Sequence, residues 1–457
     1  MKNLKTKKMK KMKNLGKISG IIALSLLSIV SCKKEENVKI DDDPNPSDVI
    51  PITESTTELK GKMKGILLKG KTYYLKGDLI IPEGEEIVAQ ECVTIIAEPD
   101  TNGIGPEITV QGSFISLGTE TCPNLFTVPQ DKRIDANIFK GLWGGIQCSD
   151  KAKLVCLKWT RMEYLGGEGG PGTPRAGAIR YGLWTLSQET EVVMEDCWIY
   201  GCKDDVYRPV GGKINLVRNT FEYCGQTGGD GLNVKAGTVG NIAYNVFYGS
   251  ATNAFKPSNE GDGTVQTNMN VYNNTIINGG WRRSGMSRGA NINYEVGARG
   301  GAYNNIIVNC KRGIRVLATA DVQNVKVDHN LYYASFQEMV DQFIPTDAIA
   351  STTTAMGANN IYGAVNANNP MFKNYNVDQF TYAQYQAGEN QPKAMNRNEG
   401  ADLRLATGSP ALGAGTTAFT PVSVNWVYAT GNRAPTIMAP NTDLGAYPSN
   451  NKGNKHY

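Results

Sequence analysis

The chain has 457 residues, with 47 Lys and Arg set against 43 Asp and Glu for a formal net charge of +4. Eight of those Lys, and no acid, lie in the first 31 residues, so the remainder carries −4, which argues against a nucleic-acid partner. With 51 Gly and frequent Asn, the composition favours many short strands and turns over helices.

The first 17 residues hold eight Lys, and the apolar run 18–30 that follows is too short to span a bilayer as a helix. This is signal-peptide anatomy, with an uncleaved amphipathic anchor as the alternative. The run closes on Ile29-Val30-Ser31-Cys32. That sequence resembles the lipobox of bacterial lipoproteins, where a small residue precedes the Cys that takes the lipid. The resemblance implies a signal peptide over 1–31, a lipid on Cys32 and attachment to a membrane. Residues 32–58 include Lys33-Lys34-Glu35-Glu36 and the acidic, Pro-containing stretch 41–46, with no apolar periodicity, so a disordered tether is expected there. Lys34-Glu35-Glu36 also resembles the export signal of Bacteroidota lipoproteins, which implies the outer membrane and its outer face. An ordinary solvated linker explains the same residues equally well.

A single domain is expected over 59–450. Residues 66–96 alternate apolar and polar residues like a leading pair of strands. Beyond Cys32 the chain has eight Cys and only two His, His329 and His456, without a CxxC pair. Metal ligation is therefore unsupported, and most of these Cys read as buried core thiols, although their even number permits disulfides. From residue 196 onward one phrase recurs: Asp196-Cys197-Trp198, Asn219-Thr220-Phe221, Asn245-Val246-Phe247, Asn274-Thr275-Ile276, Asn305-Ile306-Ile307 and Asn330-Leu331-Tyr332. A period of about 23–31 residues with Asn leading each short apolar strand is a solenoid signature, and Asn suits a left-handed turn position and amide stacking.

This pattern resembles the right-handed parallel β-helix of the pectate-lyase-like superfamily, and implies an all-β solenoid. Gly141-Leu142-Trp143-Gly144-Gly145-Ile146, Glu163-Tyr164-Leu165-Gly166-Gly167 and Gly211-Gly212-Lys213-Ile214-Asn215 are similar to a family of Bacteroidota β-helix lipoproteins with no settled activity. Asn369-Pro370-Met371-Phe372, Gly408-Ser409-Pro410 and Asp443-Leu444-Gly445-Ala446-Tyr447 resemble the closing segment of secreted β-helices. The resemblance implies that 366–447 packs across the last coil, where an open solenoid end would expose apolar surface and strand edges. Residues 335–365 read as a looped excursion.

Aligning the strand after each Asn-led strand by its inward apolar residue puts Val206, Leu232, Phe255, Ile292 and Ile314 in one column. Tyr207, Asn233, Lys256, Asn293 and Arg315 then point outward, stacked at about the 4.8 Å strand spacing. Asp204, Asp230 and Asn253 precede the column at the turn. Trp281, Arg282, Arg283 and Arg288 lie in a Gly-rich loop beside the same face. Arg offers a planar fork to a carboxylate or sulfate, and Trp an apolar plate to a sugar ring. The expected partner is a polysaccharide, acidic by preference, held by Tyr207, Asn233, Trp281, Arg282, Arg283, Arg288 and Arg315. The alternative for each residue alone is solvated surface or turn chemistry.

An enzymatic reading stands beside this one. Gly229-Asp230-Gly231-Leu232-Asn233-Val234-Lys235 and Asn253-Ala254-Phe255-Lys256 loosely resemble segments of β-helix alginate and chondroitin lyases. The resemblance implies β-elimination with Lys235 as base and Lys256 as second basic residue. It also implies Ca²⁺ held by Asp230, with Asp204 and Asp205 as further ligands. Lys256 stands where that family has Arg, and Pro257 where it has His. Hydrolysis of the polygalacturonase type is less supported, because only Asp204-Asp205 of its motifs is present. A non-enzymatic surface adhesin or structural protein is the third possibility. If Cys32 carries the lipid, Cys32→Ala abolishes labelling by radioactive palmitate and moves the protein from the membrane to the soluble fraction; unchanged labelling rules the site out.

Overall fold

The computed structural model describes residues 48–173, 175–285, 287–345, 355–383 and 400–457. The expected signal peptide, Cys32 and the tether as far as residue 47 lie outside the described residues. The tether ends earlier than expected. Ile50–Pro51 already pairs in parallel with Met63 and Lys64, and the Ile52 N–H donates to the Lys64 carbonyl at 2.8 Å.

The fold is all-β, with 40% of residues in strands and 6% in helices. Among the described residues 27 strands join one sheet whose strand pairings are parallel. Parallel neighbours need long connections, and here the chain makes them by passing through two other sets of strands before returning one repeat later. The first set runs from Asn124–Thr127 through Thr160–Leu165, Trp198–Cys202, Thr220–Cys224, Val246–Tyr248, Thr275–Ile277 and Ile306–Val308 to Leu331–Tyr333. A second set contains Leu183–Thr185, Phe255–Pro257, Ala290–Tyr294 and Arg312–Val316, and a third contains Leu154–Lys158, Glu191–Glu195, Asn268–Tyr272 and Arg299–Tyr303. The long strands Tyr207–Val217 and Leu232–Ala243 run through the second set and into the third.

Side-chain alternation makes the core columnar. In the first set Phe126, Met162, Ile199, Phe221, Phe247, Ile276, Ile307 and Tyr332 face one another in register, and all are buried. The rings of Phe221 and Phe247 stack 4.7 Å apart, which is the spacing of the strands that carry them.

The recurrent Asn are internal to this stack, and their work differs from that expected. The Oδ1 of Asn245 accepts the Asn219 N–H at 2.9 Å, Asn274 does the same for Asn245 at 2.9 Å, Asn305 for Asn274 at 3.0 Å and Asn330 for Asn305 at 3.0 Å. Each Nδ2 donates to a backbone carbonyl of the preceding strand, as Asn274 does to Ile242 at 3.0 Å. The left-handed position is the residue before the ladder Asn: Arg218, Tyr244, Asn273, Asn304 and His329 have φ between 53° and 59°. Stacking and turning, expected of one residue, are divided between two neighbours. The first member of the series shifts accordingly, since Cys197 donates its N–H to Asn219 Oδ1 while Asp196 takes the turn and pairs with Arg218.

The described parts of 335–365 and 366–447 add to what was expected of the C-terminal half. Residues 335–365 are not only an excursion: Met356 and Ile361 bridge in parallel to Val327 and Leu331, and Asn360 extends the amide ladder by accepting from Asn330 at 3.1 Å. Residues 366–447 do more than close the last rung. The carbonyls of Thr420 and Val422 accept from Asn270 and Asn241, Arg433 reaches Glu86, and Thr436 and Met438 return past Asn215 and Tyr272 to Asn304. Residues 416–443 are thus a strap that runs out along the third strand set and back. Buried Glu191 holds it by accepting the N–H groups of Val427, Tyr428 and Ala429 at 2.6–2.8 Å. Cys92 and Cys122 form a disulfide, and Cys148, Cys156, Cys197, Cys202, Cys224 and Cys310 are buried free thiols.

The ladder makes a stability prediction. Asn274→Ala strips the buried Asn245 N–H and the Ile242 carbonyl of partners, at about 1–3 kcal/mol each. Chemical denaturation is expected to show a loss of about 3 kcal/mol; a loss below about 1 kcal/mol would mean that the ladder is not supporting the stack.

Candidate functional site

The second strand set positions the site. Tyr207, Leu232, Phe255, Ile292 and Ile314 share one register and are buried. The alignment on Val206 is therefore off by one residue, and a one-residue slip exchanges the two faces of a strand. Tyr207 is a core residue, with its hydroxyl 3.3 Å from Thr185 Oγ1, and the outward position on its rung belongs to Arg208. The outward strip is Arg208, Asn233, Lys256, Asn293 and Arg315. Its register was visible in the repeated triplets Tyr207-Arg208-Pro209 and Phe255-Lys256-Pro257, each an aromatic, a base and a Pro.

The same slip moves the acid ladder from Asp204 to Asp205. Asp205 Oδ1 accepts the Asp230 N–H at 2.7 Å, and Asp230 Oδ1 accepts both the N–H of Asn253 at 2.9 Å and its Nδ2 at 2.7 Å. Asp205 Oδ2 accepts from Asn233 Nδ2 at 2.8 Å and from Arg208 at 3.3 Å. Asp204 lies beside them, half-buried, at the turn.

These residues line one open cleft together with Lys256, Asn293, Glu295, Arg283, Arg288 and Arg315. Lys256 sits 3.3 Å from Glu295, which also accepts from Asn293 at 2.8 Å, and Asn293 Oδ1 accepts from Arg315 at 2.6 Å. Arg283 and Arg288 reach the mouth from the Gly-rich loop, and neither has an ion-pair partner among the described residues. Lys311 pins that loop through the carbonyls of Arg283 and Gly285 at 2.7 and 2.9 Å. Burial, with Arg312 and Arg283 beside it, pushes the Lys311 ammonium down to about 8.

Electrostatics follow from this crowding. Burial, then the charges of Asp205 and Asp230, push the Asp204 carboxyl up to about 7 against the pull of Arg208. Burial and Asp205 push Asp230 up to about 6, while Lys256 and Asn253 hold it back. Burial works to lower Lys256, but Asp230, Glu295 and Asp205 outweigh it and the ammonium is raised. Two acceptors remain open. Asn233 Oδ1 and Asn253 Oδ1 are buried and unpaired among the described residues, and their orientation is set because each Nδ2 is already donated to a ladder carboxylate.

Besides Tyr207, three more expected site residues lie outside the cleft. Trp281 is 4% exposed, donates Nε1 to the Asn309 carbonyl at 2.9 Å and packs on Phe380, so its ring is core. Arg282 is also buried, 4% exposed, and donates to the carbonyls of Cys224, Gly225 and Gln226, tying turns together. Lys235 does not line the cleft; it stands beyond the Val234–Pro257 pair and is ion-paired with Glu260. The cleft thus gathers Asp204, Asp205, Asp230, Asn233, Lys256, Arg283, Arg288 and Arg315. Sequence reasoning overlooked Arg208 and Glu295.

A calcium site on Asp204, Asp205 and Asp230 does not fit. Both oxygens of Asp205 and one of Asp230 are already engaged by hydrogen-bond donors, and no group of three or more His, Cys, Asp or Glu among the described residues is arranged to hold a metal ion. Lys235, the expected base, also stands outside the cleft. No protein family, curated protein or solved structure matches this chain. Millimolar Ca²⁺ and EDTA are expected to give melting temperatures within about 1 °C of each other; a calcium-dependent rise of several degrees would reinstate a bound metal.

Proposed function

We propose that the chain is a right-handed parallel β-helix lipoprotein that holds an acidic polysaccharide in this cleft. The three recurring sets of parallel strands, each paired with the strand one repeat on, support the β-helix reading. The sequence through Cys32 supports a lipid anchor, and Lys34-Glu35-Glu36 an outer-membrane location.

One observation carries the binding reading. The cleft joins two cationic side chains that have no ion-pair partner among the described residues, Arg283 and Arg288, to two buried acceptors left open among those residues, Asn233 Oδ1 and Asn253 Oδ1. A carboxylate or sulfate answers the guanidinium groups, and hydroxyl donors answer the amide oxygens. Uronate and sulfated sugars carry both on one ring. On the outward strip the bases Arg208, Lys256 and Arg315 alternate with Asn233 and Asn293, so a base recurs on every second strand, about 10 Å apart, and a linear polymer lying along the face meets bases and amides in turn.

The experiment is retention on heparin, chondroitin sulfate, alginate and polygalacturonate supports. Binding to at least one is expected, weakening with salt, and the Arg283→Ala/Arg288→Ala double variant is expected to lose about tenfold or more in affinity, about 1.4 kcal/mol. Equal binding by the double variant would remove the loop from the site, and no retention on any of the four supports would refute the acidic-glycan reading.

A further inference from the structure

Resting on the acidic-glycan reading, we propose that the cleft selects a linear glycan that carries an acid on every second sugar, because its outward strip alternates bases with amides. From one rung to the next the strip reads Arg208, Asn233, Lys256, Asn293 and Arg315. Neighbouring strands lie about 4.8 Å apart, so the strands that carry the bases are roughly 10 Å from one another and about 19 Å from first to last. A pyranose unit of an extended glycan advances by about one strand spacing. A chain lying along the strip therefore sets one sugar on each rung, and its first, third and fifth sugars meet Arg208, Lys256 and Arg315. Arg283 and Arg288 approach from the loop at the mouth, not from the strip, so they add attraction without setting its period.

The amide rungs do more than separate the bases. Asn233 donates Nδ2 to Asp205 at 2.8 Å, and Asn293 donates Nδ2 to Glu295 at 2.8 Å. A sugar carboxylate on either rung would stand beside one of those acids with no base of its own, and like charge in a cleft is penalised. A hydroxyl or acetamido N–H is a donor, which the Asn233 Oδ1 left open among the described residues accepts. On the base rungs the same acids act as anchors. Arg208 lies 3.3 Å from Asp205 and Lys256 lies 3.3 Å from Glu295, while Arg315 donates to Asn293 Oδ1 at 2.6 Å and to the Ser287 carbonyl at 2.7 Å. A guanidinium has five N–H donors and an ammonium three, so such anchoring does not use them up. It fixes the spacing of the bases before a ligand arrives, which lowers the ordering cost of binding a polymer of that period.

The test is fluorescence polarisation with labelled hyaluronan oligosaccharides, which bear a carboxylate on alternate sugars and no sulfate, against oligogalacturonates, which bear one on every sugar. Attraction by charge alone favours the hexagalacturonate, which has twice the carboxylates of the hyaluronan hexasaccharide. The expected result is the reverse, with the hyaluronan hexasaccharide bound about tenfold more tightly. Affinity for hyaluronan is expected to climb from disaccharide to hexasaccharide and then level off, since three bases answer three carboxylates. Arg315→Gln and Arg208→Gln, with melting temperatures unchanged, are each expected to bring the hexasaccharide down to the tetrasaccharide level and to leave the tetrasaccharide within about twofold. Where a variant is destabilised, the comparison on the unmodified protein still decides. Equal or tighter binding of the hexagalacturonate overturns the proposal, as does a hexasaccharide advantage that both variants retain. Retention on heparin, chondroitin sulfate, alginate or polygalacturonate without a preference for hyaluronan overturns only the alternation. Retention on none of these supports, with neither oligosaccharide bound, refutes the acidic-glycan reading itself.

Discussion

Everything in this molecule depends on finding acceptors for backbone N–H groups that the turns bury. Between one strand set and the next the chain changes direction inside the protein, away from water, and an unpaired N–H there costs more than a hydrogen bond gains. Asn219, Asn245, Asn274, Asn305, Asn330 and Asn360 meet that cost one rung at a time, each amide oxygen serving the rung before it. An amide does this well because it both accepts and donates, so the same side chain also satisfies a carbonyl on the preceding strand. The result is a stack in which every rung is locked to the next at fixed register. That fixed register is what brings the outward side chains of the second strand set into line.

The site is built by the same device with a different side chain. At the turn into the second set the acceptors are Asp205 and Asp230, carboxylates in place of amides. A carboxylate accepts more strongly than an amide but cannot donate, and it brings a charge into a poorly solvated turn. Lys256, Arg208 and Arg315 on the neighbouring strip offset that charge, and Asn253 returns the ladder to a neutral amide on the next rung. The charged character of the cleft therefore follows from how its turn is supported. Asp204 is the residue that this arrangement leaves outside the ladder, half-buried on the same wall of the cleft.

The C-terminal strap applies the principle a third time. It has little regular structure of its own, and its N–H groups would be unsatisfied against the protein. Glu191 accepts three of them in succession and Glu195 accepts Thr436, while Asn215, Asn241 and Asn270 bind its carbonyls. Apolar contacts complete the attachment, with Phe419 stacked on Tyr303 at 4.2 Å and Ala429 packed among Ile115, Leu154 and Val193. The strap covers the outer face of the third strand set, which would otherwise present apolar columns to water.

The sequence by itself determined the repeat, the short strands between turns and the face on which charged residues gather, because a period of fixed length and side-chain alternation are local properties of the chain. It also contained the true register of the second strand set, in the matching triplets at 207–209 and 255–257. Only the tertiary structure decided which of two adjacent acids joins the ladder, and so moved Tyr207 into the core and Arg208 out of it. The same holds for Trp281 and Arg282, whose loop composition suits a binding plate as well as a core plug until their partners Asn309, Phe380 and the carbonyls of 224–226 are in place. Lys235 looked like a base because of its neighbours in sequence, but Glu260, 25 residues on, is its neighbour in space. A single residue of register or one long-range ion pair reverses the role of a side chain; the register leaves a trace in the repeated triplets, whereas the ion pair leaves none in the local pattern from which a sequence is read.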